Sequence, residues 1–158
     1  MAKAAKPVPA GYHTITPSLT LDDAAKTIEW YKQALGAEEI GRSVGPDGKI
    51  THAEIKIGDS RVMMNDVMMG GRGPNSFGGS PASLWLYVED SDALFNRAVA
   101  AGATVQMPLD NQFWGDRAGA VADPAGYTWW IATRKEDMTH EEMEQRAAEF
   151  FKQMAQST

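Results

Sequence analysis

The chain has no cysteine and no long apolar run. Its 158 residues include no Cys, which excludes disulfide bonds, thiolate metal sites and cysteine nucleophiles. Nowhere do about eighteen apolar residues follow one another, so no membrane partner is expected. The N-terminus shows no apolar leader segment, and the lack of cysteine fits a reducing compartment. The expected location is therefore cytoplasmic.

Basic residues are outnumbered by acidic ones. The chain has 15 Lys and Arg against 21 Asp and Glu, which gives a net charge of −6. That balance disfavours a phosphate backbone as partner, so no nucleic acid is expected. No glycine-rich phosphate loop, nucleophile elbow or nucleic-acid motif occurs. The apolar share of 43% is that of an ordinary globular protein, with one domain or two small modules.

Two segments of the chain repeat one pattern. Each is an alternating strand that ends in Asp, then about twelve residues of helical periodicity, then Gly. The first runs over residues 19–23 and leads to Gly36, and the second runs over residues 86–90 and leads to Gly102. Either Asp22 or Asp23 in the first segment, and either Asp90 or Ser91 in the second, is suited to cap a helix N-terminus. Glycine is suited to the left-handed residue that ends a helix.

The repeat extends to the final turn of each segment. Gly58 lies 66 residues before Pro124, and Asp23 lies 67 residues before Asp90. Agreement at the strand, the cap, the helix stop and the last turn predicts a duplicated βαβββ unit. The predicted organisation is a tail over residues 1–11, a first module over 12–67, a linker over 68–82, a second module over 83–134 and a C-terminal helix over 139–156.

The predicted C-terminal helix has a clear beginning and an apolar face. Thr139 and Glu142 form a capping box. The apolar stripe consists of Met143, Ala147, Phe150, Phe151 and Met154. Such a stripe is expected to be buried against this chain or against a partner subunit.

Three motifs resemble a known family. They are the strand and helix over residues 19–36, the strand His52-Ala53-Glu54, and the turn over residues 123–127, Asp-Pro-Ala-Gly-Tyr. Together they resemble the vicinal oxygen chelate superfamily, also called the glyoxalase/bleomycin-resistance/dioxygenase family. The resemblance implies an α+β fold in which two βαβββ modules form an open eight-stranded mixed sheet or barrel around a cleft. It also implies a homodimer.

Many members of that family hold a divalent metal in the cleft with His or Glu ligands. Carried over by counting from the motifs, the four ligand positions fall on Thr16, Met64, Ser83 and Trp130. None of these side chains is a usual ligand for Zn²⁺, Ni²⁺, Mn²⁺ or Fe²⁺. We therefore expect no metal at the usual positions and no cofactor.

The histidines leave three alternatives open. His52 and Glu54 are two residues apart on a strand and point the same way. With His13 they are candidates for a displaced site that holds one divalent transition metal. Alternatively, His52 acts as a general base beside Glu54, so these two are the candidate catalytic residues. The third alternative is a surface histidine without chemistry.

Strand alternation also predicts which residues face the cleft. On strands, the candidate ligand-binding residues are Thr16, Met64, Trp85, Tyr87 and Trp130. Trp114 and Arg117 are added because residues 113–117 are expected to form a loop that closes the cleft. An aromatic and methionine-lined groove suits a small organic molecule that is aromatic or amphipathic. The alternatives are that the tryptophans pack a core, and that Asp116 and Arg117 pair to fix a turn.

Three functions compete at this point. The first is metal-independent binding of a small molecule, as in the drug-sequestering branch that the resemblance implies. The second is a metal-dependent enzyme with a relocated site, either a glyoxalase-like lyase/isomerase or a dioxygenase. The third is an interaction scaffold in which the final helix dimerises.

Overall fold

Residues 6–156 are described by the structure, which is a computed structural model. The chain divides into two compact units. The first extends to Pro81 and includes Pro124–Tyr127, and the second consists of Ala82–Asp123 and the residues from Thr128 onward. Of the tail predicted over residues 1–11, residues 1–5 lie outside the described part.

The first unit contains one helix and a four-stranded sheet. Its elements are β1 (Ser18–Leu21), α1 (Ala24–Leu35), β2 (Glu38–Val44), β3 (Ile50–Ile57) and β4 (Ser60–Asp66). The strand order is β1-β4-β3-β2, with β1 parallel to β4 and the other pairs antiparallel. A short 3₁₀ helix, Pro74–Phe77, lies in the segment predicted as the linker.

The second unit repeats this arrangement and adds a helix. Its elements are β5 (Ser83–Tyr87), α2 (Ser91–Ala100), β6 (Thr104–Asn111), β7 (Asp116–Ala122), β8 (Thr128–Arg134) and α3 (His140–Gln156). The strand order is β5-β8-β7-β6, with β5 parallel to β8. The predicted class is therefore confirmed: an α+β fold of two βαβββ modules with open mixed sheets and a C-terminal helix.

Both module helices begin at the predicted aspartates. The carboxylate of Asp23 accepts a hydrogen bond from the backbone N–H of Lys26 at 3.0 Å. The carboxylate of Asp90 does the same for Ala93 at 2.9 Å. Each bond satisfies a donor that the helix itself leaves free, which is worth about 1 kcal/mol. Helix α1 ends at Gly36, whose φ of 68° is the left-handed conformation.

Strand alternation builds the core of the first unit. One face of its sheet packs on α1 and buries Leu19, Leu21, Ala53, Ile55, Val62 and Met64. The buried helix residues include Ala24, Ile28, Tyr31 and Leu35. Burying each large apolar side chain contributes about 1.5–3 kcal/mol. The unit is also held by Tyr127, whose hydroxyl accepts from Thr20 N at 3.1 Å and lies 3.2 Å from Thr20 O.

The second unit has its core on the same side of its sheet. Trp129 and Ile131 are fully buried on the face that packs on α2, together with Val121. The indole N–H of Trp129 donates to the buried Asp123 carboxylate at 2.8 Å. Gly119 has no room for a side chain, because an added Cβ would lie 2.7 Å from the ring of Phe95.

Strands β2 and β6, each at one edge of its four-stranded sheet, are irregular. The pairing of β2 with β3 shifts between Glu39 and Gly41. The pairing of β6 with β7 shifts between Val105 and Met107, and Pro108 follows at once. These shifts are β-bulges, which bend a strand and interrupt its hydrogen-bonding ladder.

Helix α3 begins with the predicted capping box. Thr139 N donates to the Glu142 carboxylate at 2.8 Å, and Glu142 N donates to the Thr139 hydroxyl at 3.2 Å. No residue of this helix is buried. The ring of Phe150 lies 5.0 Å from that of Phe113. Of the helices within residues 6–156, none has both the length and the apolar content that crossing a membrane requires.

Candidate functional site

Four aromatic side chains meet on the sheet face of the second unit that points away from α2. They are Trp85 and Tyr87 from β5, Trp130 from β8, and Trp114 from the loop before β7; we call them the aromatic cluster. Pairing of β5 with β8 places Trp85 opposite Trp130. Their neighbours Leu84 and Trp129, also paired, point to the other face because successive side chains alternate.

Two tryptophans of the cluster stack. The rings of Trp85 and Trp130 have centroids 4.7 Å apart and planes 9° apart. Trp85 also lies 6.1 Å from Tyr87 and 6.4 Å from Trp114, both tilted. The exposed fractions of Trp85 and Tyr87 are 40% and 61%. The cluster therefore presents a flat apolar surface to solvent. Flat organic ligands bind to such surfaces by stacking on the rings.

A buried carboxylate supports the cluster. Asp116 Oδ2 accepts hydrogen bonds from the Tyr87 hydroxyl at 2.9 Å and from the Trp114 indole N–H at 3.0 Å. The other oxygen, Oδ1, is buried without a hydrogen-bond partner and lies 3.8 Å from the Arg134 guanidinium. Burial, followed by the bond to Asp116, raises the pKa of the Tyr87 hydroxyl above its usual 10.0. Tyr87 thus stays protonated and continues to donate.

Arg117 lies on the opposite face from the cluster. Its guanidinium makes two bonds to the Asp92 carboxylate of α2, at 2.6 and 2.7 Å. Asp116 and Arg117 are neighbours on β7 and point to opposite faces, so the alternative in which they pair with each other is wrong. Arg117 is placed to join β7 to α2 rather than to line the aromatic surface.

Two candidate residues of the first unit, Met64 and Thr16, do not lie on the sheet face that points away from α1. Met64 is 1% exposed and pairs with Ala53 on the face that packs on α1. Its predicted orientation toward the ligand side is therefore wrong, and Met63, the partner of Glu54, has that orientation. Thr16 lies before β1, where its hydroxyl donates to the carbonyl of His13 at 3.5 Å.

His52 and Glu54 do lie together, as the sequence predicts. His52 Nε2 is 3.1 Å from Glu54 Oε1, and Arg61 donates to Glu54 Oε2 at 2.9 Å. The Arg61 guanidinium also lies over the Tyr12 ring, 4.9 Å from its centroid. A hydrogen bond from Tyr12, followed by one from His52, lowers the pKa of the Glu54 carboxyl below its usual 4.5. Glu54 is thus an ionised, fully engaged acceptor rather than a free base.

A family model matches most of the chain. The model describes the Glyoxalase/Bleomycin resistance protein/Dioxygenase superfamily and matches residues 12–131. The chain belongs to this superfamily. The resemblance inferred from the sequence motifs is confirmed, and both βαβββ modules contribute to the match.

Individual proteins show the same relationship. An uncharacterized protein of Mycobacterium bovis is 44% identical over 135 residues, which is 82% of this chain and 89% of that protein. Protein YjdN of Escherichia coli is 33% identical over 74% of this chain and 92% of its own. The crystal structure of TioX from Micromonospora matches with a TM-score of 0.62 and 26% identity, over 80% of this chain and 100% of that one.

Counting from the sequence motifs places the expected metal-ligand positions at Thr16, Met64, Ser83 and Trp130, although strand pairing makes Met63 the counterpart of Trp130. Thr16, Met64, Ser83 and Trp130 offer hydroxyls, a thioether and an indole, which are poor ligands for the borderline metals that imidazole and carboxylate bind. Within residues 6–156, no group of three or more His, Asp or Glu side chains is placed to hold a metal ion. His13, His52 and Glu54 are among the residues searched, so they do not form a three-ligand set.

Sequence reasoning missed Asp116, Tyr12 and Arg61. Strand β7 begins at Asp116, two residues earlier than the sequence predicts, so Asp116 and Arg117 are strand neighbours that point to opposite faces. No local signal joins Asp116 to Tyr87, which lies 29 residues away. Tyr12 and Arg61 are likewise linked to Glu54 through contacts that the local pattern does not encode.

Two cavities lie within the described units, and one of them borders the carboxylate beneath the aromatic cluster. One of 220 Å³ is lined by Asn111, Gln112, Gly115, Asp116, Lys135 and Glu136 in the second unit. The other, of 380 Å³, lies along α1 in the first unit and is lined in part by Asp22, Lys26 and Trp30. The first adjoins the buried carboxylate, and the second lies on the side of the sheet away from His52 and Glu54.

Proposed function

We propose that this protein binds a small, flat organic molecule on the aromatic cluster without the help of a metal ion. The observation that carries the proposal is the stacked pair Trp85 and Trp130 beside the exposed ring of Tyr87. Exposed aromatic rings grouped on one face are typical of a surface that binds a ligand or a partner. A cleft between the two modules, expected from the sequence, stays a prediction.

The position of Trp130 supports binding in place of metal chemistry. Counting from the superfamily motifs puts a metal-ligand position at this residue, and the chain has an indole there that stacks on Trp85. An indole has no lone pair to offer a metal and provides a large apolar face instead. The substitution replaces a coordination site with a stacking surface.

The metal-free proposal gives a direct expectation for the purified protein. We expect well below one transition metal ion per chain by plasma mass spectrometry. The neutral planar probe acridine should bind with the same affinity before and after EDTA treatment, as measured by calorimetry. One tightly held equivalent of metal that is lost in His52→Ala would overturn the proposal, and so would loss of acridine binding after EDTA.

The second candidate function is an enzyme with a relocated site, of the lyase/isomerase or dioxygenase class. The observation in its favour is the 3.1 Å contact between His52 and Glu54, which resembles a base and its orienting carboxylate. Against it stands Arg61, which already engages Glu54. An activity on glutathione hemithioacetals or catechols that EDTA abolishes and His52→Ala removes would favour the enzyme.

We also propose that the chain forms a homodimer through α3. The exposed fractions of Phe151 and Met154 on its apolar stripe are 60% and 55%. Twofold pairing lays the same stripe of two copies against each other. We expect a chain that ends before Thr139 to sediment as a monomer and the full chain as a dimer. Lys152→Glu, on the opposite side of the helix, is the control, and an unchanged mass after truncation would refute the role of α3.

A further inference from the structure

The charge beneath the aromatic cluster points to one class of ligand. Asp116 has a side chain with 0% exposure, and burying a carboxylate is strongly unfavourable unless charge and hydrogen bonds compensate it. Two neutral donors serve Oδ2, while Oδ1 has no donor at all. The described residues therefore compensate the buried charge of Asp116 only in part.

The nearest cation does not neutralise Asp116 by itself. Arg134 is 46% exposed and 3.8 Å from Oδ1, and it lies closer to Asp137, at 3.3 Å. One guanidinium is thus shared between two carboxylates, which leaves a net negative charge at this edge of the cluster. Of these groups only the Asp116 carboxylate is buried, so its charge acts through a water-poor medium and is weakly screened, whereas water screens the exposed Asp137.

The two donors to Asp116 are also two rings of the cluster. A hydroxyl or indole N–H that donates to an anion makes its ring more electron-rich, which strengthens the attraction of the ring face for a cation. Tyr87 and Trp114 are polarised in this way, and both tilt toward Trp85 at 6.1 and 6.4 Å. The ring faces and the Asp116 carboxylate therefore both favour a positively charged ligand.

We propose that the aromatic cluster selects an organic cation: a flat aromatic ligand that carries a quaternary or protonated nitrogen. The ring system of the ligand packs on Trp85 and Trp130, and its positive charge lies over Tyr87 and Trp114, in front of Asp116. This inference rests on the proposed function, because it names the ligand class of the same surface. It assigns Asp116 as a specificity-determining residue that acts through Tyr87 and Trp114.

A matched pair of probes tests the charge preference. N-methylacridinium is permanently cationic, and acridine is neutral at mildly alkaline pH with nearly the same shape. We expect the wild-type protein to bind N-methylacridinium about tenfold or more tightly than acridine by calorimetry. In Asp116→Asn, which keeps an acceptor for Tyr87, that ratio should fall toward one, because the affinity for N-methylacridinium falls by more than the affinity for acridine.

A second variant tests the charge preference in case Asp116→Asn does not fold. Arg134→Gln removes the shared cation, so the preference for N-methylacridinium should rise. Equal affinity for both probes in the wild type, or an unchanged ratio in both variants, would refute the selection of cations while leaving the binding function intact. If neither probe binds, the binding function itself is refuted.

Discussion

Replacing Trp129 by alanine is expected to lower the free energy of unfolding by about 3–5 kcal/mol. The side chain is fully buried between the second sheet and α2, and its indole N–H donates to Asp123 at 2.8 Å. The substitution removes the largest buried side chain of the unit, leaves a cavity and breaks a buried hydrogen bond. Urea unfolding followed by circular dichroism measures the loss.

The adjacent residue provides the control for this prediction. Trp130 has the same chemistry but lies on the other face of β8, against Trp85 and partly open to solvent. Trp130→Ala should cost less, about 1–3 kcal/mol, through the lost ring pair and the part of its apolar surface that is buried. If the two alanine variants were equally destabilised, the assignment of the two faces of β8 would be wrong.

Trp130→Ala is expected to weaken acridine binding by about 10- to 100-fold, because a buried aromatic contact of this size contributes about 1.4–2.8 kcal/mol. Trp130 is the less exposed ring of the stacked pair, and its loss also allows Trp85 to adopt other rotamers. Calorimetry gives the affinity, and circular dichroism verifies that the variant is folded.

Arg117→Ala is the matched control for binding. Arg117 belongs to the same sheet, yet its side chain is engaged with Asp92 of α2 on the far face. Acridine affinity should stay within about twofold of the wild-type value. A loss as large as that in Trp130→Ala would show that the ligand is not bound on the aromatic face.

Much of the fold could be predicted from the sequence because the same pattern of strand, helix and turn residues occurs twice in the chain. Asp23 and Asp90 cap their helices as expected, and Thr139 with Glu142 forms the expected capping box. These features depend on contacts between residues three or four apart. Local chemistry decides them, so a single sequence is sufficient.

The error at Met64 has a simple geometric origin. The offset between the two final turns is 66 residues, but the paired strands correspond with an offset of 67: Ser18 pairs with Met63 as Trp85 pairs with Trp130. A shift of one residue moves a strand side chain to the other face. Counting along the sequence could not supply the one-residue difference.

The environment of Arg117 and Asp116 could not be predicted for a different reason. Arg117 binds Asp92, which is 25 residues away, and Asp116 binds Tyr87, which is 29 residues away. Such contacts depend on how β7 packs against α2 and beside β5, which the local pattern does not encode. The aromatic residues of the candidate site were identified, while the charged residue beneath them was missed.

The bulges in β2 and β6 bear on how this protein behaves when concentrated. An outermost strand with a regular ladder is a template for further strands from other molecules. In β6 the pairing is broken twice, before Met107 and again before Asp110, and Pro108 has no N–H to donate. Fibril growth from that side would have to begin on a bent, donor-poor strand. The same irregularities make this edge of the sheet a poor template for aggregation.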